Sequence, residues 1–126
     1  MDHSAFQAWL DRYIAAWHSG DAAAIGDLFS DDATYRYHPW DEPVRGRDAI
    51  VADWLGPDRD VPDTWRASYR PLALDGDRGV AVGESDYLTD DGSAVDRRYH
   101  NVFLCRFDGD GRCSDFIEYF MLEKRD

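Results

Sequence analysis

The chain has 126 residues, with 26 acidic and 14 basic side chains, a formal net charge of −12, and 44% hydrophobic and 14% aromatic content. That length fits a single domain spanning residues 1–126, and five Trp, seven Tyr and six Phe supply enough apolar surface to offset the entropy of ordering. The acidic balance speaks against a surface built to neutralise phosphates, so no nucleic-acid partner and no anionic membrane is expected, and no stretch approaches the roughly 20 apolar residues needed to span a bilayer.

Ser4-Ala5-Phe6-Gln7 has capping-box spacing, and Phe6, Trp9, Leu10, Tyr13 and Trp17 then recur at three and four residues, which predicts an amphipathic helix of about 15 residues. Ser19-Gly20 stops it. Asp21 is placed to cap a second short helix from Ala22 to Phe29, which ends at Asp31-Asp32. Ala33 to His38 alternates as a strand, Pro39 to Pro43 forms a loop, and Asp48 to Leu55 carries a third helix. From about Trp65 the apolar period becomes two, in four runs separated by Asp75-Gly76-Asp77, Asp90-Asp91-Gly92 and Asp108-Gly109-Asp110-Gly111. Helices followed by an antiparallel meander predict an α+β domain in which the helices cover one face of a curved sheet.

The amino terminus enters its helix with no basic flank and no apolar run of the kind a signal peptide carries, and Cys105 and Cys113 fit neither a disulfide framework nor a CxxC knuckle. Free thiols and a cytoplasmic location are the expectation. His3, His18, His38 and His100 show no ligand spacing, no glycine-rich phosphate loop follows a strand, and GxSxG is absent. No metal and no cofactor is implied.

The run Trp17-His18-Ser19-Gly20-Asp21, the run Leu28-Phe29-Ser30-Asp31-Asp32-Ala33 and the run Pro43-Val44-Arg45-Gly46-Arg47-Asp48-Ala49-Ile50 resemble the nuclear transport factor 2-like superfamily, and its SnoaL-like polyketide cyclase branch in particular. The likeness continues through Arg106 to Arg112 and Glu118-Tyr119-Phe120. It implies a cone, in which a bent sheet wraps on helices around an apolar pocket, with frequent homodimers through the outer sheet face. The superfold hosts isomerases, dehydratases, cyclases, epoxide hydrolases and binding modules, so activity has to be argued from the site.

Hairpin arithmetic assigns residues to faces. A two-residue Asp91-Gly92 turn pairs Asp86 with Arg97, Glu84 with Tyr99 and Val82 with Asn101, and a four-residue turn at Asp108 to Gly111 sets Asn101 opposite Glu118 and Phe103 opposite Phe116. Extending through Gly76-Asp77 sets Tyr69 beside Glu84. One face then collects Tyr69, Glu84, Asp86, Arg97, Tyr99, Asn101, Phe103 and Glu118, and the resemblance makes it the pocket face. The other face holds Arg70, Tyr87, Arg98, His100, Val102, Leu104, Ile117, Tyr119 and Met121, a surface suited to a sheet-to-sheet dimer. Leu72 and Leu74 fall on that outer face, which supports a dimer or signals a bulge.

Ketosteroid isomerases are similar at Arg12-Tyr13-Ile14 and Asp31-Asp32-Ala33-Thr34, which implies an oxyanion-donating role for Tyr13. The assisting acid of that family falls on Phe103 and its general base near Tyr37-His38, so two of the three functions depart, and His38 is left as a base near neutral pH. Limonene-type epoxide hydrolases are similar at Tyr35 to Pro39 and Gly46 to Ala49. Their acid, base and water ligands map onto Tyr35, Tyr37, Glu84, Asp86 and Glu118, with Glu84 where that family has an arginine. Arg97, across from Asp86, is placed to replace that arginine; without it Glu84, Asp86 and Glu118 crowd one apolar site, which implies a raised pKa for at least one and a proton-sharing pair.

The catalytic candidates are therefore Tyr13, His38, Asp86 and Glu118. Trp17, Tyr35, Tyr37, Trp40, Trp54, Tyr69, Glu84, Arg97, Tyr99, Asn101 and Phe103 are candidate ligand contacts. Tyr13 on an apolar stripe also suits a core position, His38 beside Pro39 a turn, Asp86 with Arg97 a rim salt bridge, and the aromatics a core without a ligand. The expected function is cofactor-independent acid/base chemistry of isomerase, dehydratase or cyclase type on a small apolar molecule with a carbonyl or hydroxyl. The alternative is a non-catalytic ligand-binding or dimeric assembly module of the same fold.

Overall fold

The computed structural model describes residues 1–124. Its first helix, α1, runs His3–Ser19 and is capped by Asp2, whose carboxylate accepts from the Ala5 amide at 2.8 Å. The start lies just ahead of the Ser4 capping box because Asp2 caps in its place. At the other end Gly20 takes a left-handed conformation and its amide donates to the Ala16 carbonyl at 3.0 Å. Asp21 caps the short α2, Ala22–Gly26, through the Ala23 amide at 2.9 Å. Phe29, expected at the end of that helix, instead opens the strand β1, Phe29–Arg36. A two-residue strand, β2, Val44–Arg45, precedes α3, Arg47–Trp54.

The meander is β3, Trp65–Asp75; β4, Arg78–Leu88; β5, Val95–Phe107; and β6, Cys113–Leu122. With β1 and β2 it forms one six-stranded sheet in the order β2-β1-β6-β5-β4-β3, antiparallel except for the parallel β1–β6 pair. That pair closes the sheet over α1, whose apolar stripe of Phe6, Trp9, Leu10, Tyr13 and Ala16 is buried in the concave face. Burying one such large side chain stabilises by roughly 1.5–3 kcal/mol. Trp9 also donates its indole N–H to the Leu28 carbonyl at 3.0 Å, so its polar atom is satisfied in the core. Cys105 and Cys113 are free and buried. Among the described residues no helix is long and apolar enough to cross a membrane.

Two bulges correct the expected register. Near the β4–β5 turn Leu88 pairs with Val95, but the next pair inward is Tyr87 with Arg97, leaving Asp96 extra. In the β3–β4 pair Ala73 faces Val80 and Pro71 faces Ala81, leaving Leu72 extra and 64% exposed. Leu74, one residue past Ala73, returns to pack on the core. Each bulge shifts β4 by one residue against a neighbour, and side chains alternate with a period of two, so β4 alone turns over. Ser85 and Tyr87 face inward and Glu84 and Asp86 outward, the reverse of the expectation. The β5–β6 register also differs, with Asn101 opposite Phe120 and Phe103 opposite Glu118, but a shift of two residues preserves the face.

Candidate active site

Between the concave sheet, α1, α3 and the loop after α3 lies a cavity of about 650 Å³. Tyr13 and Trp17 reach it from α1, Tyr35 and Tyr37 from β1 and the residue after it, and Asp53 and Trp54 from α3. Tyr69, Ser85, Tyr87, Arg97, Tyr99, Asn101, Glu118 and Phe120 come from the meander, and Asp58, Arg59 and Asp60 from the loop. Most expected ligand contacts therefore converge. Phe103 does not line the cavity: it is 1% exposed, packed against the Tyr13, Tyr69 and Phe116 rings beneath the floor.

Gly83 makes the arrangement possible. A Cβ there would stand 2.0 Å from the Ser68 carbonyl oxygen and 2.7 Å from the Tyr69 ring, so only glycine lets that ring lie across the strand. The Tyr69 hydroxyl thereby reaches Ser85 Oγ at 2.6 Å, and Ser85 Oγ donates to Asn101 Oδ1 at 2.9 Å. A serine hydroxyl has one hydrogen, so Tyr69 is the donor in the first bond. With its oxygen occupied, Asn101 presents its NH2 group to Glu118.

Glu118 sits at the centre of this wall. Burial pushes its carboxyl up to about 7, the Asp60 carboxylate adds to the rise, and the hydrogen bond from Asn101 opposes it. Five phenols, Tyr13, Tyr35, Tyr37, Tyr69 and Tyr87, feel its charge; burial is the largest cause of their raised pKa values. All five keep their protons at neutral pH. Tyr13 and Tyr35 hydroxyls lie 2.7 Å apart, which consumes one of their two hydrogens and leaves the other for a ligand oxygen. Tyr37 donates to Asp53 at 2.5 Å and Tyr87 to Asp60 at 3.1 Å, so two carboxylates at the mouth are held by neutral donors. Trp54 Nε1 is buried without an acceptor among the described residues.

Four candidates stand elsewhere. Asp86 is 7% exposed, but on the outer face, where Arg98 donates to its two oxygens at 2.7 and 3.0 Å and Arg66 to one at 3.3 Å. The Arg98 hydrogen bonds hold its carboxyl below the usual range. Arg97, its expected partner, instead lies over the Tyr87 ring at 4.6 Å inside the cavity. Glu84 is exposed beside His100 on the outer face. The shared proton expected of Glu84, Asp86 and Glu118 thus has no geometry, because only Glu118 faces inward. His38 and Trp40 line a second cleft, of about 490 Å³, that meets the first at Tyr37, Asn101, Glu118 and Phe120. There His38 Nδ1 is 2.9 Å from an Asp41 carboxylate oxygen and its ring stacks on Trp40, which is 79% exposed.

Sequence reasoning missed Ser85, Tyr87, Asp53 and Asp60. The first two were hidden by the inverted face of β4. Asp53 and Asp60 flank Gly56-Pro57, which signalled only the end of a helix. Among the described residues no group of three or more His, Cys, Asp or Glu side chains is placed to hold a metal ion. A half-buried carboxyl that titrates near neutrality is equipped to move a proton to and from a ligand, and the un-ionised phenols beside it to hydrogen-bond an oxyanion.

No curated protein matches the chain. Among solved structures, an NTF-2 like protein of unknown function from Burkholderia xenovorans LB400 superimposes with a TM-score of 0.68 at 19% identity, over 98% of this chain and 88% of that one. A proposed ketosteroid isomerase from Kribbella flavida DSM 17836 gives 0.68 at 18% identity, over 99% and 83%. Both likenesses show the cone-shaped NTF2-like fold. The sequence profile of the SnoaL-like domain matches residues 10–116, and the chain belongs to that family.

Proposed function

We propose that the cavity performs cofactor-independent proton transfer, of isomerase, dehydratase or cyclase type, on a small apolar molecule that carries a carbonyl or hydroxyl. The observation that carries this reading is Glu118, a carboxyl raised to about 7 within a ring of protonated tyrosines. As a carboxylate it removes a proton from carbon next to the carbonyl, and as the acid it returns that proton elsewhere on the same molecule. The free hydrogen of the Tyr13–Tyr35 pair stabilises the negative oxygen formed between the two steps. A general acid/base of this kind contributes about 10²–10⁴-fold to rate. The test is α-proton exchange of apolar ketones in D2O, followed by NMR. Wild type should exchange a ketone that binds, Glu118→Gln should lose about that factor, and Tyr13→Phe should lose less. Equal exchange by wild type and Glu118→Gln for every ketone that binds would sink the assignment.

The outer face favours a second reading, that of an assembly module. Tyr119, 42% exposed, and Met121, 75% exposed, project there with Val82 and Val102. Two copies pairing through this face would cover them. Sedimentation should then give a dimer for wild type and a monomer for Met121→Asp, and a monomeric wild type removes the reading.

A further inference from the structure

We propose that the ligand of the cavity carries a positively charged nitrogen, a protonated or quaternary amine on an apolar body, seated against the tyrosine and tryptophan rings near Glu118 and Asp60. The inference rests on the reading of this cavity as the functional site and adds the charge of what enters it.

Three features lead to it. First, aromatic side chains, among them Tyr37, Trp54, Tyr69, Tyr87 and Tyr99, line the wall, and aromatic rings attract cations through their π faces. The cavity already seats one cation in this way, since the Arg97 guanidinium lies 4.6 Å from the Tyr87 ring centre and 5.9 Å from that of Tyr99. Second, four carboxyl groups, Asp53, Asp58, Asp60 and Glu118, line the cavity against two cations, Arg59 and Arg97. Third, the cations do not neutralise the acids. Among the described residues the ion pair of Arg97 is with Asp96, at 3.8 Å, its guanidinium also donates to the Tyr99 hydroxyl at 3.4 Å, and Arg59 packs at Gly20, where an added Cβ would meet its guanidinium. Asp53, Asp60 and Glu118 accept from Tyr37, Tyr87 and Asn101, which are neutral donors. Four acids against two cations leave the cavity with an excess of negative charge, and a ligand amine supplies the opposing charge. An anionic ligand would meet repulsion from the same groups.

Phenyltrimethylammonium and tert-butylbenzene have the same shape and differ in charge, so they separate charge recognition from the apolar pocket. Binding is followed at pH 8 by shifts of the tyrosine and tryptophan resonances of the intact protein. The ammonium compound should bind roughly ten-fold more tightly than the hydrocarbon. Asp60→Asn should weaken the ammonium several-fold and leave the hydrocarbon unchanged. Equal or tighter binding of tert-butylbenzene overturns the proposal and leaves the pocket reading standing. If neither compound moves a cavity resonance, the proposal and the pocket reading fall together.

Discussion

Ser85 Oγ donates to Asn101 Oδ1 at 2.9 Å, and that contact decides which end of the Asn101 amide faces Glu118. Removing the amide removes the hydrogen bond that favours the Glu118 carboxylate. In Asn101→Leu the Glu118 carboxyl should therefore titrate above 7, read by carbon NMR of the labelled side chain. Ser85 loses its acceptor, at a cost of about 1–3 kcal/mol in stability. A Glu118 titration unchanged from wild type would show that Asn101 does not govern it.

Asp60 acts on the same group with the opposite sign. Its carboxylate raises Glu118, so Asp60→Asn should bring the Glu118 titration below 7. The acid limb of any pH–rate profile should move the same way. A rise would mean that Asp60 acts by some route other than its charge.

Burial raises the Glu118 pKa from 4.5 to about 7, so the folded state holds a proton that the unfolded state has released between those values. Folding stability then falls as pH rises through this window, by up to about 3 kcal/mol, and is flat above it as far as Glu118 is concerned. Glu118→Gln should abolish the slope and be more stable than wild type at pH 8. Chemical denaturation at pH 4.5, 6 and 8 measures both.

Asp86 titrates in the opposite sense, because the Arg98 hydrogen bonds favour its charged form. Its stabilisation is present above the ordinary Asp range and is lost as pH falls through its lowered folded pKa. Arg98 and Arg66 are partly exposed, which limits the cost of Asp86→Asn to about 1–2 kcal/mol at pH 7. Ligand binding in the cavity should not change, since the pair lies on the far side of the sheet.

Gly83→Ala should prevent folding or expel the Tyr69 ring, because the new Cβ meets backbone oxygen at 2.0 Å, which cannot swing away. Gly79→Ala meets the Phe6 ring at 2.5 Å, a side chain that can shift, and should cost about 1–3 kcal/mol. Thermal denaturation of the two variants tests the order.

The sequence by itself determined the order of the helices and the long strands, the buried stripe of α1 and the grouping of Tyr69, Arg97, Tyr99, Asn101 and Glu118 on one face, which the family resemblance turned inward. Periodicity and turn residues are local signals, and a register error of two residues on β6 leaves a side chain on its face. Tertiary structure decided the rest of the site. Asp96 and Leu72 are the extra residues of two bulges, and nothing in their identity marks them as such; whether a ladder absorbs an extra residue depends on the curvature its neighbours impose. One residue is half a period, so the bulges exchanged Glu84 and Asp86 for Ser85 and Tyr87 at the cavity wall. The partner of Glu118 was equally a matter of long-range packing. Asp60 lies far from it along the chain, and only the folding of the loop after α3 over the cavity mouth brings its charge to bear.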